Sequence, residues 1–304
     1  VADVPKAEQA EAPELRVSVL VVSHNCAGAL RKCMQALESS PDRGQIEILV
    51  VDNGSDDGSQ SIDHEFPDVN ALRLPHYCGL TRACNIGIRT AKAEYLLLLS
   101  PDVILPPGGA TKLANRLAAE PAALAVCPDL RDELGRVVSR TRQLPDASQV
   151  AACWRDPVQL PDSAQFELHD GKAILMRKHT IQGINYLDSR YGEHWADVDL
   201  AYEISRAGKK IVLASEISAT LNTTDQLWKP VDQSEEAAFA ADAANGAAAY
   251  LGKHFGFGAG LGFRIRMVLA TLAKLLTFQR PGYQMGLLSR LLSGYKIDGK
   301  SQKL

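Results

Sequence analysis

Glu47-Ile48-Leu49-Val50-Val51-Asp52-Asn53-Gly54-Ser55-Asp56-Asp57-Gly58-Ser59 is an apolar run that stops abruptly in carboxylates, amides, glycines and hydroxyls. Consecutive aliphatic residues without alternation predict a strand covered on both faces, and Gly54 and Gly58 permit a turn that side chains would obstruct. In open α/β sheets, ligands sit just beyond the carboxyl ends of such strands. The polar cluster is therefore the first candidate for a site.

The pattern repeats on both sides of this stretch. Arg16 to Val22 predicts a buried strand ending in Ser23-His24-Asn25, and Cys26 to Leu37 places Leu30, Cys33, Met34 and Leu37 on one helical face. After Ser59 come a short helix to Glu65, a brief strand at Ala71 to Leu74 and a helix over Gly79 to Ala91. A buried strand at Glu94 to Leu99 ends in Ser100-Pro101-Asp102, followed by a helix near Ala110 to Ala119 and a strand at Ala122 to Cys127. This alternation predicts an α/β fold with a mostly parallel, doubly wound sheet and right-handed crossovers. At Pro128 a strand breaker opens a charged stretch, and the turn signal Leu134-Gly135-Arg136 predicts a hairpin or irregular loop. Residues 147–170 carry no periodic signal and read as a surface excursion, the kind of segment that carries binding function. Order returns with a strand at Ala173 to Arg177, a helix at Asp197 to Ala207, a strand at Lys210 to Ala214 and helices from about Asp232. The chain thus divides into a disordered acidic tail (1–14), a sheet domain (15–228) and a helical, basic C-terminal extension (229–304).

Hydrophobic content of 46% and a charged fraction of 23% are ordinary for a soluble globular protein, and the net charge of −3 hides an uneven distribution. From Leu251 onward nine basic residues face one acid, Asp298. There Val268, Leu269, Leu272, Leu275 and Leu276 share a helical face, with Arg266, Lys274 and Arg280 toward the other. Such a pattern suits an interfacial helix on an anionic membrane surface, the alternative being a helix packed on the main domain with a solvated basic face. Stacking aromatics are not interleaved with these bases, which argues against nucleic acid. The six cysteines form no Cys-x-x-Cys, no run approaches the ~18 apolar residues of a membrane span, and the first residues lack the apolar core of a signal peptide. The expectation is a cytoplasmic chain with free thiols, peripheral on the cytoplasmic face of the inner membrane if the basic helices dock there.

Three strand ends carry polar residues: Ser23-His24-Asn25, Asp52-Asn53-Gly54-Ser55 and Ser100-Pro101-Asp102. Each alone reads as a turn or helix cap; parallel strands bring all three to one edge, where a carboxylate and amides bind a nucleobase and ribose. Asp102 follows four leucines and precedes Val103-Ile104-Leu105. A carboxylate so placed needs a partner, either a divalent cation bridging a diphosphate or simply the turn after Pro101. Trp195-Ala196-Asp197-Val198-Asp199-Leu200 opens a helix with two carboxylates, of which a cap accounts for one and a general base for the other. His194 stands alone and reads as a surface or packing residue.

These residues resemble family 2 glycosyltransferases of the GT-A (Rossmann-like) fold, particularly their bacterial rhamnosyltransferase-like branch. The resemblance runs from about Arg16 to Thr224 and rests on Ser18 to Asn25, Val50 to Ser59, Gly79 to Gly87, Leu97 to Asp102, and Asp197 to Leu200 ahead of Arg206-Ala207-Gly208. It implies an inverting transfer from a nucleotide-sugar donor to a hydroxyl of a cell-surface glycan or lipid-linked acceptor, with dTDP-rhamnose or a UDP-hexose as donor. Position by position, it implies that Ser23, Asn25, Asp52 and Asn53 contact the nucleoside and that Arg82 and Asn85 line the donor pocket. Asp102 matches the carboxylate that holds Mg²⁺ or Mn²⁺, and Asp197 the catalytic base. Three departures bear on catalysis: Ala196 replaces the glutamate usual before the base, Ser100 replaces the first metal-motif aspartate, and Leu221 to Asp225 contains no histidine. These departures motivate a rival reading, an inactive nucleotide- or glycan-binding scaffold subunit.

Overall fold

The computed structural model describes residues 15–138, 144–152, 172–222, 229–230 and 232–299. The predicted tail, most of the predicted 147–170 excursion and Thr223 to Asp225 therefore lie outside the described residues. The first half alternates as expected: β1 (Val17–Ser23), α1 (Ala27–Glu38), β2 (Ile46–Asp52), α2 (Ile62–Glu65), β3 (Asn70–Arg73), α3 (Leu80–Thr90) and β4 (Tyr95–Leu99). Then come β5 (Val103–Ile104), α4 (Gly109–Ala118), β6 (Ala123–Asp132), α5 (Ala147–Ala152), β7 (Ala173–Arg177) and α6 (Lys178–Gly183). The last part holds α7 (Ala196–Arg206), β8 (Lys210–Leu221), α8 (Gln233–His254), α9 (Phe257–Leu276) and α10 (Pro281–Ser293).

One sheet orders the strands β3-β2-β1-β4-β7-β6-β8-β5. β3, β2, β1 and β4 are mutually parallel, and β7 runs antiparallel to both β4 and β6. Parallel strands need both faces covered, and β2 shows how its aliphatic run meets that need. Ile46, Ile48 and Val50 join the core cluster containing α1 and α4, while Leu49 and Val51 point to the opposite cluster with α3, α7 and α8. That second cluster also takes in Tyr250, Phe263, Met267, Leu287 and Leu291, so the C-terminal helices share apolar packing with the sheet.

Two boundaries differ from the sequence reading. Pro128 does not end its strand: β6 continues to Asp132, and the pairing with β8 shifts register between Pro128 and Asp129. A bulge is where a residue without an N–H is tolerated inside a sheet. β8 likewise runs to Leu221 instead of stopping at Ala214, because it pairs with the extended β6 and then with β5. The predicted turn stands, with Gly135 at φ +78° and its N–H on the Asp132 carbonyl.

Candidate active site

Ser23 and Asp52 are register partners at the ends of β1 and β2. Both are buried, and each carries an oxygen with no hydrogen-bond partner: Ser23 Oγ and Asp52 Oδ1. The other Asp52 oxygen accepts from the Ser55 N–H at 3.3 Å. Gly54 makes this turn at φ +70°, where a Cβ would lie 2.5 Å from the backbone of His76. The chain at His76 to Gly79 therefore closes tightly over the end of β2.

The amides beside these groups hold the chain in place. Asn53 Oδ1 accepts from the Cys78 N–H at 2.9 Å, and its Nδ2 donates to the Gly79 carbonyl at 3.4 Å. Asn85 braces the Leu187 backbone at both ends, donating to its carbonyl at 2.8 Å and accepting its N–H at 3.0 Å. Asn25, at φ +45°, accepts the Asp56 N–H at 2.7 Å and laces the first strand end to the second. Arg82 is exposed on α3 and donates to the Asp298 carbonyl. Of the six residues expected to contact a nucleotide donor, Ser23 and Asp52 are the two that hold an unpartnered buried oxygen.

Beyond β4, Asp102 is 5% exposed. Its Oδ2 accepts from Lys172 Nζ at 2.6 Å, and its Oδ1 is buried with no partner. One such oxygen suits Mg²⁺ or Mn²⁺, ions that are commonly held by one or two carboxylates plus substrate phosphates and water. Asp102 would hold the ion, and Lys172 brings a second positive charge to the same place.

Asp197 occupies the first turn of α7 and is exposed, whereas Asp199 is buried. Asp199 accepts from Tyr191 Oη at 3.0 Å, contacts His254 Nε2 at 2.7 Å and accepts from Lys253 Nζ at 2.7 Å. Lys253 also reaches Asp188 at 3.0 Å and Glu203 at 3.2 Å. Asp199, Glu203 and His254 have ligand atoms within 4.8 Å of one another, and the Lys253 ammonium already occupies the space between the two carboxylates as their shared cation. The two carboxylates of the helix opening are thus separated by burial, one structural and one presented to solvent.

Sequence reasoning missed Glu193. Its Oε2 accepts from Tyr77 Oη at 2.6 Å and from the Leu80 N–H at 2.8 Å, which places a carboxylate on the first turn of α3. Burial pushes the Glu193 carboxyl up, against the lowering effect of the Tyr77 hydrogen bond. These partners lie more than a hundred residues apart in sequence, and no local pattern announces the pairing. The described cysteines Cys26, Cys33, Cys78, Cys84 and Cys127 are free and buried, and burial pushes the Cys26 thiol up to about 11, far from a reactive thiolate.

Residues 18–163 match the sequence model of the family described as Glycosyl transferase family 2. An N-acetylglucosaminyl-diphospho-decaprenol L-rhamnosyltransferase of Mycobacterium tuberculosis is 24% identical over 217 residues, covering 62% of this chain and 70% of that protein. Glycosyltransferase AglE of Haloferax volcanii is 33% identical over 91 residues, 28% of this chain and 30% of that one. Among solved structures, S. aureus TarS 1-349 in complex with UDP-GlcNAc superposes with a TM-score of 0.53 at 15% identity, covering 92% of this chain and 91% of that one. That likeness bears on the fold.

Proposed function

We propose that the chain, whose residues 18–163 match Glycosyl transferase family 2, is a nucleotide-sugar-dependent, inverting glycosyltransferase acting on a lipid-linked or cell-surface glycan acceptor. The observation that carries the reading is the pair of buried, unpartnered carboxylate oxygens at one sheet edge, Asp52 Oδ1 and Asp102 Oδ1. Leaving such atoms without donors costs stability, and a ligand that supplies donors or a cation offsets the cost. Asp52 and Ser23 receive the nucleoside, while Asp102 and Lys172 face the diphosphate. Bound Mg²⁺ or Mn²⁺ would supply Lewis-acid neutralisation of the leaving diphosphate. Asp197, exposed at the start of α7, takes the proton from the acceptor hydroxyl as that oxygen attacks the anomeric carbon. The name of the rhamnosyltransferase above supports rhamnose as the sugar transferred and a diphospho-lipid as acceptor; dTDP as the nucleotide is what the resemblance of Asp52-Asn53 and Ser100-Pro101-Asp102 implies.

The C-terminal helices support a membrane-proximal acceptor. α9 packs inward through Gly260, Phe263, Met267 and Thr271 and leaves Leu261, Ile265, Leu269, Leu272 and Leu276 exposed as a second apolar stripe. Arg266 and Lys274 line the same shallow groove as Ile265 and Leu269, a pairing suited to anionic lipid. Among the described residues no helix is long and apolar enough to cross a membrane.

Thermal shift with dTDP, UDP and GDP, each with and without Mn²⁺, tests the donor site. The expected outcome is stabilisation by dTDP that Mn²⁺ increases, with the Mn²⁺ increment lost in Asp102→Asn. No stabilisation by any nucleotide would sink the reading.

A further inference from the structure

Three stretches far apart in sequence meet on one carboxylate of α8. Asp242 is 2% exposed, and its Oδ2 accepts from the Glu193 N–H at 2.9 Å and the His194 N–H at 3.1 Å. The same oxygen lies 3.1 Å from His194 Nδ1, and Oδ1 accepts from the Ile297 N–H at 2.8 Å. The chain approaches so closely that a Cβ on Gly192 would sit 2.0 Å from Asp242 Oδ1. Trp195, directly after His194, caps α7 in the left-handed region at φ +80°, so the entry angle of that helix is set where Asp242 grips the backbone. Two residues on stands Asp197.

The imidazole is half-buried, with 22% of its side chain exposed. Its edge meets the Phe239 ring at 6.1 Å, and Phe239 in turn stacks on Tyr77 at 6.0 Å. The ionisable groups whose charges act on it are Asp242 from α8, Glu193 from its own segment with the Tyr77 phenol bonded to it, and Asp197 from α7. Burial pulls the His194 imidazole down, yet the Asp242 hydrogen bond and the surrounding carboxylates lift it above the ordinary histidine range.

We propose that Asp242 and His194 form a positioning pair for Asp197, fixing the start of α7 and holding an imidazole on the segment that leads into the base, an orienting role that Ala196 cannot fill. The proposal rests on the reading of Asp197 as the base. A cation at His194 favours the ionised form of a neighbouring carboxylate, and ionisation is what a base needs before it accepts a proton. The site is thereby completed by a helix that lies beyond the family-matched residues 18–163.

Two variants separate geometry from charge. Asp242→Asn keeps the shape and removes the charge, and His194→Asn keeps a donor near the position of Nδ1 while removing the ring. Nucleotide release from dTDP-rhamnose and from UDP-N-acetylglucosamine reads turnover. In each variant kcat falls at least about tenfold while dTDP and UDP affinities stay within about twofold. The alkaline limb of the wild-type kcat profile, where His194 loses its proton, moves to lower pH in Asp242→Asn and disappears in His194→Asn.

NMR titration of the His194 ring gives a readout that needs no turnover. Its pKa drops in Asp242→Asn and also in Asp197→Asn, since each removes a negative neighbour. A His194 titration unmoved by Asp197→Asn overturns the proposal. So does loss of kcat that only tracks loss of nucleotide affinity and thermal midpoint. Should Asp197→Asn turn over at the wild-type rate while the His194 titration still moves, the base reading fails and the charge coupling stands, so the two failures are distinguishable.

Discussion

Asp52 and Asp102, at the ends of β2 and β4, each keep one buried oxygen without a donor, whereas Asp199 and Asp242, on α7 and α8, have both oxygens engaged. All four are at most 5% exposed, so burial alone does not separate them. What separates them is satisfaction. A buried polar atom without a partner costs about 1–3 kcal/mol, and a fold retains that cost where a ligand removes it. The strand ends accordingly support the proposed ligand site, and the satisfied seam between α7 and α8 supports the proposed brace for Asp197.

The comparison breaks most visibly at Asp197, which the braced helix presents in its first turn. Asp197→Asn is expected to lower kcat by at least about a hundredfold while the protein stays folded, checked by nucleotide release and urea denaturation. Near-wild-type turnover would remove it as base.

Within the brace the effect moves from rate to stability. Lys253→Met leaves Asp199, Asp188 and Glu203 without their shared cation, and breaking a buried pair in this way is expected to destabilise by about 3 kcal/mol in urea unfolding, with nucleotide affinity retained. The same seam predicts a pH dependence. Burial alone would raise the Asp188 carboxyl, but hydrogen bonds from Arg190 and Lys253 hold it well below the usual carboxylate range. A depressed folded-state pKa gives stability that is present above the unfolded value of about 3.9 and is lost as pH falls below it. The thermal midpoint should therefore fall on acidification below about pH 5, and the slope should flatten in Asp188→Asn.

The smallest expected effect concerns the outer face of α9, remote from both kinds of carboxylate. Lys274→Gln should weaken co-sedimentation with phosphatidylglycerol vesicles about fivefold, on the order of 1 kcal/mol per basic residue at an anionic surface. dTDP affinity should not change. Equal binding to neutral and anionic vesicles would reject an electrostatic contribution.

Much of this architecture is legible residue by residue. The aliphatic run before Asp52, the helical spacing of Leu30, Cys33, Met34 and Leu37, and the opening of α7 at Ala196 follow from local periodicity and from polar residues that interrupt it. Pro128 misled because its lack of an N–H is absorbed by a bulge that only the pairing with β8 creates. Asn53 illustrates the other limit. Its place beside Asp52 marks it as a ligand contact, yet its amide closes the turn at Cys78 and Gly79. His194, isolated in the sequence, acquires its neighbours from α8.

The sequence by itself determined where strands end and that carboxylates, amides and hydroxyls gather there, because alternation and abrupt polarity are properties of neighbouring residues. Only the tertiary structure decided which of those groups remain unsatisfied. Lys172, Lys253, His254 and Asp242, which pair with or fix the decisive residues, come from segments 48 to 70 positions away, and hydrogen-bond partners at such separations are brought together by packing and not by local pattern.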